Sequence, residues 1–247
     1  MSIRTVVVIP ARFESSRYPG KPLVELNGKP MIIWVAELSA NAVGPDNVYI
    51  ATDDERISSV VNKNGFKAVM TGPALTGTDR LAEAASKIEA DLFINVQGDE
   101  PLVDPSDILK VRDVKLSHPE CVINAFSYLS RIEDPKNINI PKVITTESNQ
   151  LVYMSRSALP SYKSEECAPE RYKKQVCIYA FSKEELFAFR GFGRKSQLEF
   201  SEDIEILRFL ELGVQIKMVE TRPGSLAVDC PEDVNGVEKA LRRLHGI

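Results

Sequence analysis

The stretch "TVVVIPARFESSRYPGKPL", Thr5 to Leu23, joins an apolar run to a loop with concentrated positive charge. Its first residues, Thr5–Ile9, are all β-branched, which predicts a buried strand. The loop behind them carries three cations and a glycine: Arg12, Arg17, Lys21 and Gly20. Guanidinium and ammonium groups on a loop whose backbone can approach a ligand closely are typical of phosphate binding. A solvated surface loop with scattered cations is the alternative.

Strand and helix patterns alternate through the first half of the chain. Strand-like runs lie at 47–54, 67–71 and 91–101, and helical runs lie at 31–40, 54–65, 78–88 and 104–111. This alternation predicts an α/β fold of three layers, with a mostly parallel sheet covered by helices on both faces. Ligands of such sheets bind at the carboxyl ends of the strands. The Arg12–Lys21 loop and the Gln97–Asp99 segment are both expected there.

The pattern changes after residue 120, where strand-like runs follow one another without long helices between them. They lie at 121–129, 142–157 and 173–182. We expect a single domain over 1–247 with an antiparallel insertion at about 120–200. Capping-box patterns predict helices that begin at Ser182 and at Ser201, the second ending at Gly213. A strand at 214–221 and an amphipathic helix at 231–244 close the chain.

Composition excludes several classes of function. The net charge of −4 argues against a nucleic-acid partner or a membrane-surface protein. No apolar run approaches the roughly 20 residues of a membrane helix, and the start lacks the order of a signal peptide, so a cytoplasmic location is expected. The four cysteines form no C-x-x-C pair, which gives no sign of a zinc or dithiol site. Two histidines leave little material for a Ser-His-Asp mechanism.

A second candidate site segment is "NVQGDEP", residues 95–101, which ends a predicted strand in acid. Asp99 and Glu100 suit an Mg²⁺ ion that bridges phosphates, whereas a solvated turn at Gly98–Asp99 is the alternative. Together with the cationic loop, the carboxylates describe a nucleoside triphosphate site. The segment "VDCPEDV", residues 228–234, supplies a second acidic group at Asp229. The alternative is that Asp229 marks the start of a helix, where carboxylates interact favourably with the helix dipole.

The chain resembles the CMP-Kdo synthetases, which are 3-deoxy-manno-octulosonate (Kdo) cytidylyltransferases, over nearly its whole length. The motifs that carry the resemblance are VVVIPARFESSRYPGKPLVELNGKPMI, ATDDERI, TGTDRLAEAA, NVQGDEPLVDP, SRSALP, CIYAFS and VDCPEDV, in the order and spacing of the family. Uridylyl- and guanylyltransferases for sugar phosphates usually open with a glycine-rich A-G-G/A-G-x-G-T-R loop, which is absent here. The chain also lacks a Walker loop.

The resemblance implies a Rossmann-like nucleotidyltransferase fold, a homodimer built with the 120–200 insertion, and Mg²⁺-dependent transfer of CMP from CTP to a 2-keto sugar acid. The residues implied for CTP are Arg12, Arg17, Lys21, Thr78 and Arg80. Those implied for the sugar are Gln97, Arg156, Gln175, Tyr179, Glu205 and Ile206. Those implied for Mg²⁺ are Asp99 and Asp229, and those implied in catalysis are Arg12, Lys21 and Asp99. The product would feed lipopolysaccharide or capsule.

Departures from the family pattern cluster on the sugar side. The family's H-x-G-x-Y is replaced by Q-V-C-I-Y at Gln175–Tyr179, and its L-E-Q-L-R by I-E-I-L-R at Ile204–Arg208. Drift within a Kdo enzyme explains these changes. A different acidic sugar, such as 8-amino-Kdo or another ulosonic acid, is the alternative explanation, because an Ile206 wall would suit a deoxy or methylated carbon. A non-catalytic nucleotide-binding regulator is the alternative from another class.

Overall fold

The computed structural model describes residues 3–14, 18–224 and 226–246. The strands are β1 Thr5–Ala11, β2 Glu25–Leu26, β3 Lys29–Pro30, β4 Val48–Thr52, β5 Lys67–Met70, β6 Leu92–Val96, β7 Val122–Tyr128, β8 Lys142–Thr145, β9 Leu151–Ser155, β10 Lys173–Ser182 and β11 Ile216–Glu220. The α-helices are α1 Met31–Val43, α2 Glu55–Lys63, α3 Gly77–Lys87, α4 Pro105–Ser117, α5 Lys183–Gly191, α6 Gln197–Glu202, α7 Leu207–Glu211 and α8 Val234–His245.

The main sheet has the strand order β11-β7-β10-β6-β1-β4-β5. Neighbouring strands are parallel except at β10, which runs antiparallel to both β6 and β7. The side chains of β1 alternate between two cores: Val7 and Ile9 pack with α1, α2 and α4, whereas Val6 and Val8 pack with α3 and α5. The predicted three-layer α/β fold and the buried first strand are therefore confirmed.

The segment from about 120 to 200 contributes to the sheet in two ways. Its strands β7 and β10 lie inside the main sheet, and β8 and β9 form an antiparallel hairpin that meets β10 through Lys142 and Lys174. A bulge shifts the β7–β10 register between Val176 and Tyr179. The buried Asn124 side chain stabilises this bulge, since its Nδ2 donates to the carbonyl oxygens of Val176 and Ile178, each at 3.0 Å.

Local signals set most helix starts where the sequence predicts them. Asp104 caps α4 by accepting a hydrogen bond from the Ser106 N–H at 2.8 Å, with Pro105 in the first turn. Ser182 and Glu185 form the predicted capping box of α5. The Asn27–Gly28 turn joins β2 to β3, with both residues at positive φ (51° and 79°).

The predicted continuous helix from Ser201 to Gly213 is wrong. Helix α6 ends at Glu202, Asp203 adopts a left-handed φ of 51°, and α7 begins at Leu207. Tertiary contacts override the helical periodicity here, because the Arg156 guanidinium takes the carbonyl oxygens of Glu202 and Asp203 as acceptors. The break turns the Glu205 side chain toward α3.

A buried ion network joins the helices on the α3 side of the sheet. The fully buried Arg208 guanidinium donates to Glu199 at 2.6 Å and to Asp79 at 2.9 Å. Asp79 also accepts a hydrogen bond from the Thr76 hydroxyl at 2.8 Å. The same guanidinium lies 3.7 Å from the centre of the Phe189 ring. These contacts fix the first turn of α3 against α5, α6 and α7.

We expect Arg208→Met to lower the free energy of unfolding by about 3–5 kcal/mol, because two buried carboxylates lose their cation. Chemical denaturation measures the loss. The matched control is Arg190→Met: that side chain is 48% exposed and 3.4 Å from Glu83, so about 0–1 kcal/mol is expected. Equal effects of the two substitutions would contradict a stabilising role for the network.

Candidate active site

A cleft of about 560 Å³ opens at the carboxyl edge of β1 and β6. Its walls come from the loop after β1, the first turn of α3, the loop after β6 and the break between α6 and α7. The residues predicted from the sequence that line it are Arg12, Lys21, Arg80, Gln97, Asp99, Arg156 and Glu205. The two strand-end loops therefore meet at one site, as the parallel sheet predicts.

Lys21 lies between two carboxylates. Its Nζ donates to Asp99 Oδ2 at 2.6 Å and lies 4.0 Å from Asp229 Oδ1. The segment that carries Asp229 is fixed to the Asp99 loop by a backbone hydrogen bond from the Val228 N–H to the Asp99 carbonyl oxygen at 3.0 Å. Three charged groups from distant parts of the chain therefore converge at one point of the site.

This convergence fits a divalent cation. Within the ranges 3–14, 18–224 and 226–246, no cluster of three or more His, Cys, Asp or Glu side chains could hold a metal ion alone. Mg²⁺ needs less from a protein, since one or two carboxylates together with substrate phosphates usually hold it. Asp99 and Asp229 supply two carboxylates around a point that already attracts a cation, the Lys21 ammonium.

The loop after β1 is shaped by Gly20, which has a φ of 73°. Its N–H donates to the Phe13 carbonyl oxygen at 2.8 Å, and a Cβ at this position would lie 3.2 Å from the Phe13 ring. A left-handed residue without a side chain therefore closes the loop and starts the short 3-10 turn at Lys21. Arg12 is exposed on the cleft wall, and Arg17 lies outside the described residues.

The first turn of α3 is held by Glu205. The Glu205 carboxylate accepts hydrogen bonds from the Gly77 N–H at 3.0 Å and the Thr78 N–H at 2.8 Å. It therefore satisfies two amides that no helical carbonyl can reach, and its charge is favourable at the positive end of the helix dipole. The Thr78 side chain is buried and lies behind the cleft wall.

Arg80 and Arg156 line the cleft from fixed positions. Arg80 is buried and donates to Asp53 at 2.7 Å and to the Thr71 hydroxyl at 2.6 Å. Arg156 holds the opposite wall, where its guanidinium donates to the carbonyl oxygens of Ile138 at 2.9 Å and Asp203 at 3.0 Å. Both guanidinium groups are preorganised by protein acceptors, so little side-chain entropy remains to be lost on ligand binding.

Gln175 and Tyr179 lie on the α3 face of β10, and neither is among the residues that line the cleft. Gln175 Nε2 donates to Asn124 Oδ1 and to the Tyr179 hydroxyl oxygen, each at 3.1 Å. Burial raises the pKa of Tyr179 well above its ordinary value, with nearby anionic groups adding to the effect. The Cys177 thiol pKa is also raised by burial and by the carboxylates of Glu100 and Asp99. Both groups are therefore protonated near neutral pH.

Ile206 is placed differently from its prediction. It is 1% exposed and packs in the core with Ile204, Leu207 and Phe209, and it is not one of the residues that line the cleft. The prediction of an apolar wall at Ile206 is therefore corrected. The break between α6 and α7 directs Glu205 outward to α3 and Ile206 inward. Of Gln175 and Ile206, Gln175 alone has its side chain in a polar network, with Asn124 and Tyr179.

Sequence reasoning missed three groups that build the site: Asn124, Lys195 and Arg208. Lys195 pairs with Asp203 at 2.6 Å on the cleft wall. The sequence contained one signal for the role of Arg208, which is a charged residue between two apolar residues.

Within the described part of the chain, no helix is both long and apolar enough to cross a membrane.

Known proteins that resemble this chain carry consistent names. A solved structure of CMP:2-keto-3-deoxy-manno-octonic acid synthetase complexed with CTP superposes with a TM-score of 0.90 at 36% identity, over 98% of this chain and 99% of that one. The 3-deoxy-manno-octulosonate cytidylyltransferase of Trichlorobacter lovleyi is 38% identical over 98% of this chain and 100% of that protein. The 8-amino-3,8-dideoxy-manno-octulosonate cytidylyltransferase of Shewanella baltica is 39% identical over 97% and 99%, respectively.

A model of the cytidylyltransferase family matches residues 6–216, which include both strand-end loops and the α3 turn. The match and the full-length relatives confirm the family that the motifs indicate. This chain belongs to the cytidylyltransferase family.

Proposed function

We propose that this protein transfers CMP from CTP to the anomeric hydroxyl of a 2-keto-3-deoxy sugar acid, with Kdo as the first candidate, and releases pyrophosphate. The observation that carries this proposal is the Lys21 ammonium between Asp99 and Asp229, at the mouth of an arginine-bearing loop. A nucleoside triphosphate and a metal ion need this combination of cationic and carboxylate groups at one point.

In this reaction the protein mainly positions the two substrates and compensates their negative charge. The anomeric hydroxyl attacks the α-phosphorus of CTP while pyrophosphate leaves, so two anions must approach each other. Arg12 and Lys21 offset this repulsion from the loop after β1, and they stabilise the negative charge that develops on the phosphate oxygens. Asp99 and Asp229 would hold Mg²⁺, which supplies further positive charge to those oxygens when bound.

The acceptor subsite is assigned to the wall formed by Gln97, Arg156 and the polar face of β10. The relatives named for Kdo and for 8-amino-Kdo are almost equally similar to this chain, at 38% and 39% identity. Overall identity therefore favours neither acceptor, and the departure at Gln175 bears on the choice. A polar amide beside the Tyr179 hydroxyl keeps a hydrogen-bonding function at this position.

We infer a homodimer that uses the segment from about 120 to 200. This segment and its surroundings expose large apolar side chains: Ile132, Ile138, Val152, Tyr162, Phe187 and Phe200. A concentration of exposed apolar side chains in one segment is the feature that supports this inference. Sedimentation equilibrium should give twice the mass of one chain, and a single-chain mass across micromolar concentrations would contradict the dimer.

The first experiment is pyrophosphate release from CTP and Mg²⁺ with a panel of acceptors: Kdo, 8-amino-Kdo, other 3-deoxy-ulosonates and sialic acid. We expect release that depends on one of the first three. Strong activity with Kdo would mean that the change at Gln175 is tolerated drift. Release without any acid would indicate a CTP hydrolase, and CTP binding without release would indicate a regulator.

Asp99→Asn should lower kcat by about 10²-fold or more, because it removes one of the two carboxylates proposed to hold Mg²⁺ at the reacting phosphates, while the fold stays intact. Steady-state pyrophosphate release and circular dichroism measure the two effects. Asp46→Asn is the matched control, since that side chain is 94% exposed near Lys67. Turnover of Asp99→Asn near the wild-type rate would refute the role assigned to Asp99.

The Asp99 loop also depends on Gly98. A Cβ at Gly98 would lie 3.1 Å from the Pro10 carbonyl oxygen and 3.2 Å from Ile32 Cδ1. Gly98→Ala therefore pushes the loop away from β1, and we expect about 1–3 kcal/mol lower stability and roughly 10²-fold lower kcat/KM. Gly191→Ala, whose Cβ would meet nothing within 4 Å, should change neither quantity. Equal kinetics of the two variants would show that the close approach is unimportant.

A further inference from the structure

A charged pair lies on the same wall of the cleft as Arg156. Lys195 precedes the N-cap of the short helix α6, and Asp203 follows the last residue of that helix. The two side chains meet, since Lys195 Nζ donates to Asp203 Oδ1 at 2.6 Å. Both residues line the cleft, and their side chains are 31% and 73% exposed, respectively. A ligand in the cleft can therefore reach both charges.

The backbone that carries this pair is fixed at both ends of α6. The Ser196 N–H donates to the buried Glu199 carboxylate at 3.0 Å, and Glu199 is held in turn by Arg208. At the other end, the Asp203 carbonyl oxygen accepts a hydrogen bond from the Arg156 guanidinium at 3.0 Å. The two charges are therefore presented to the cleft from a preorganised position, which lowers the entropy cost of binding a ligand.

The other two carboxylates that line the cleft have different tasks. Asp99 accepts a hydrogen bond from Lys21 and is proposed to hold Mg²⁺, and Glu205 secures the amides of the first turn of α3. The Lys195–Asp203 pair serves neither the metal ion nor the helix. An exposed ion pair also contributes little to stability, so the position of this pair in the cleft points to a contact with a ligand.

The chemistry of the pair favours a neutral hydroxyl group. A hydroxyl oxygen can accept a hydrogen bond from the Lys195 ammonium while the hydroxyl hydrogen is donated to the Asp203 carboxylate. An ammonium group of the ligand would be attracted by Asp203 and repelled by Lys195, and a carboxylate would meet the reverse. A charged ligand group therefore gains from one member of the pair and loses to the other.

The length of the acceptor determines which of its groups reaches this wall. Its anomeric hydroxyl, at C2, must lie at the α-phosphorus of CTP, on the side of Lys21 and Asp99. C8 is the other end of the sugar chain, so it extends toward the opposite wall, where Arg156, Lys195 and Asp203 lie. Kdo carries a hydroxyl group at C8, whereas 8-amino-Kdo carries an amino group there, which is protonated at neutral pH.

We propose that the Lys195–Asp203 pair binds the C8 hydroxyl of the acceptor and is the specificity-determining element that selects Kdo over 8-amino-Kdo. This inference rests on the proposed function and names its acceptor. Part of the discrimination is repulsive, because the Lys195 ammonium disfavours a second cation beside it. The phosphate side of the cleft is not involved, so CTP binding is unaffected.

The ratio of kcat/KM for Kdo to kcat/KM for 8-amino-Kdo tests the proposal. We expect the wild type to favour Kdo about tenfold or more. Lys195→Met removes the repulsion and leaves Asp203 to attract the ammonium, so the ratio should fall about tenfold. Asp203→Asn removes the attraction, so the ratio should rise, and asparagine tolerates the left-handed φ of 51° at this position. The KM for CTP should stay within about twofold in both variants.

The ratio separates a direct contact from a structural effect, because a general disturbance of the wall lowers kcat/KM for both acceptors alike. Lys195→Arg keeps the charge and should keep the preference for Kdo. The matched control is Lys67→Met, since Lys67 forms an exposed pair with Asp46 at 3.4 Å and neither residue lines the cleft. This control should leave the ratio unchanged, and an equal shift in it would overturn the proposal as a general charge effect.

If Lys195→Met does not fold, Lys195→Gln and Asp203→Asn, measured in the same way, decide the question. A wild type that does not favour Kdo would overturn the assignment of the pair. An unchanged ratio in every folded variant, or shifts in the same direction at both positions, would also overturn it. Pyrophosphate release that depends on no sugar acid is a different result, which would overturn the proposed function itself.

Discussion

The cleft depends on the ion pairs of a single buried guanidinium, that of Arg208. Asp79 and Glu199 approach it from different helices, and either carboxylate alone at this depth would be strongly unfavourable. Because Asp79 belongs to the first turn of α3, the network sets where that turn meets the cleft. Glu205, three residues before Arg208, then secures the amides of the same turn. The short segment from Glu205 to Arg208 therefore positions the first turn of α3, which forms one wall of the site.

The second constraint is the antiparallel strand β10 inside an otherwise parallel sheet. At its bulge, the Cys177 N–H donates to the buried Glu100 carboxylate at 3.2 Å. Glu100 directly follows Asp99 in the chain. Gln97 meets the same strand, since its N–H donates to the Cys177 carbonyl oxygen at 3.3 Å. The loop proposed to hold phosphates and the strand proposed to hold the sugar therefore share backbone contacts, which fix the distance between the two subsites.

Much of this architecture could be predicted from the sequence, because it is encoded locally. The β-branched run of β1, the caps of α4 and α5 and the acid after β6 each have a short-range physical cause, and strand-end geometry brings the two loops together. The break at Asp203 could not be predicted in this way, since the helical pattern continues through it and Arg156, distant in sequence, ends the helix. The inward turn of Ile206 follows from that break.

The alternation of β10 separates two kinds of constraint along one strand. Val176, Ile178 and Ala180 face the α4 side and belong to its apolar core, so their replacement disturbs the packing of the whole sheet. Gln175 and Cys177 face the other side, at two positions where the sequence departs from the H-x-G-x-Y motif that the resemblance implies. Substitutions on this face can therefore change the chemistry of the proposed acceptor wall, while the apolar face and with it the fold stay constant. A single strand of this kind offers a natural place for members of one family to diverge in substrate without diverging in mechanism.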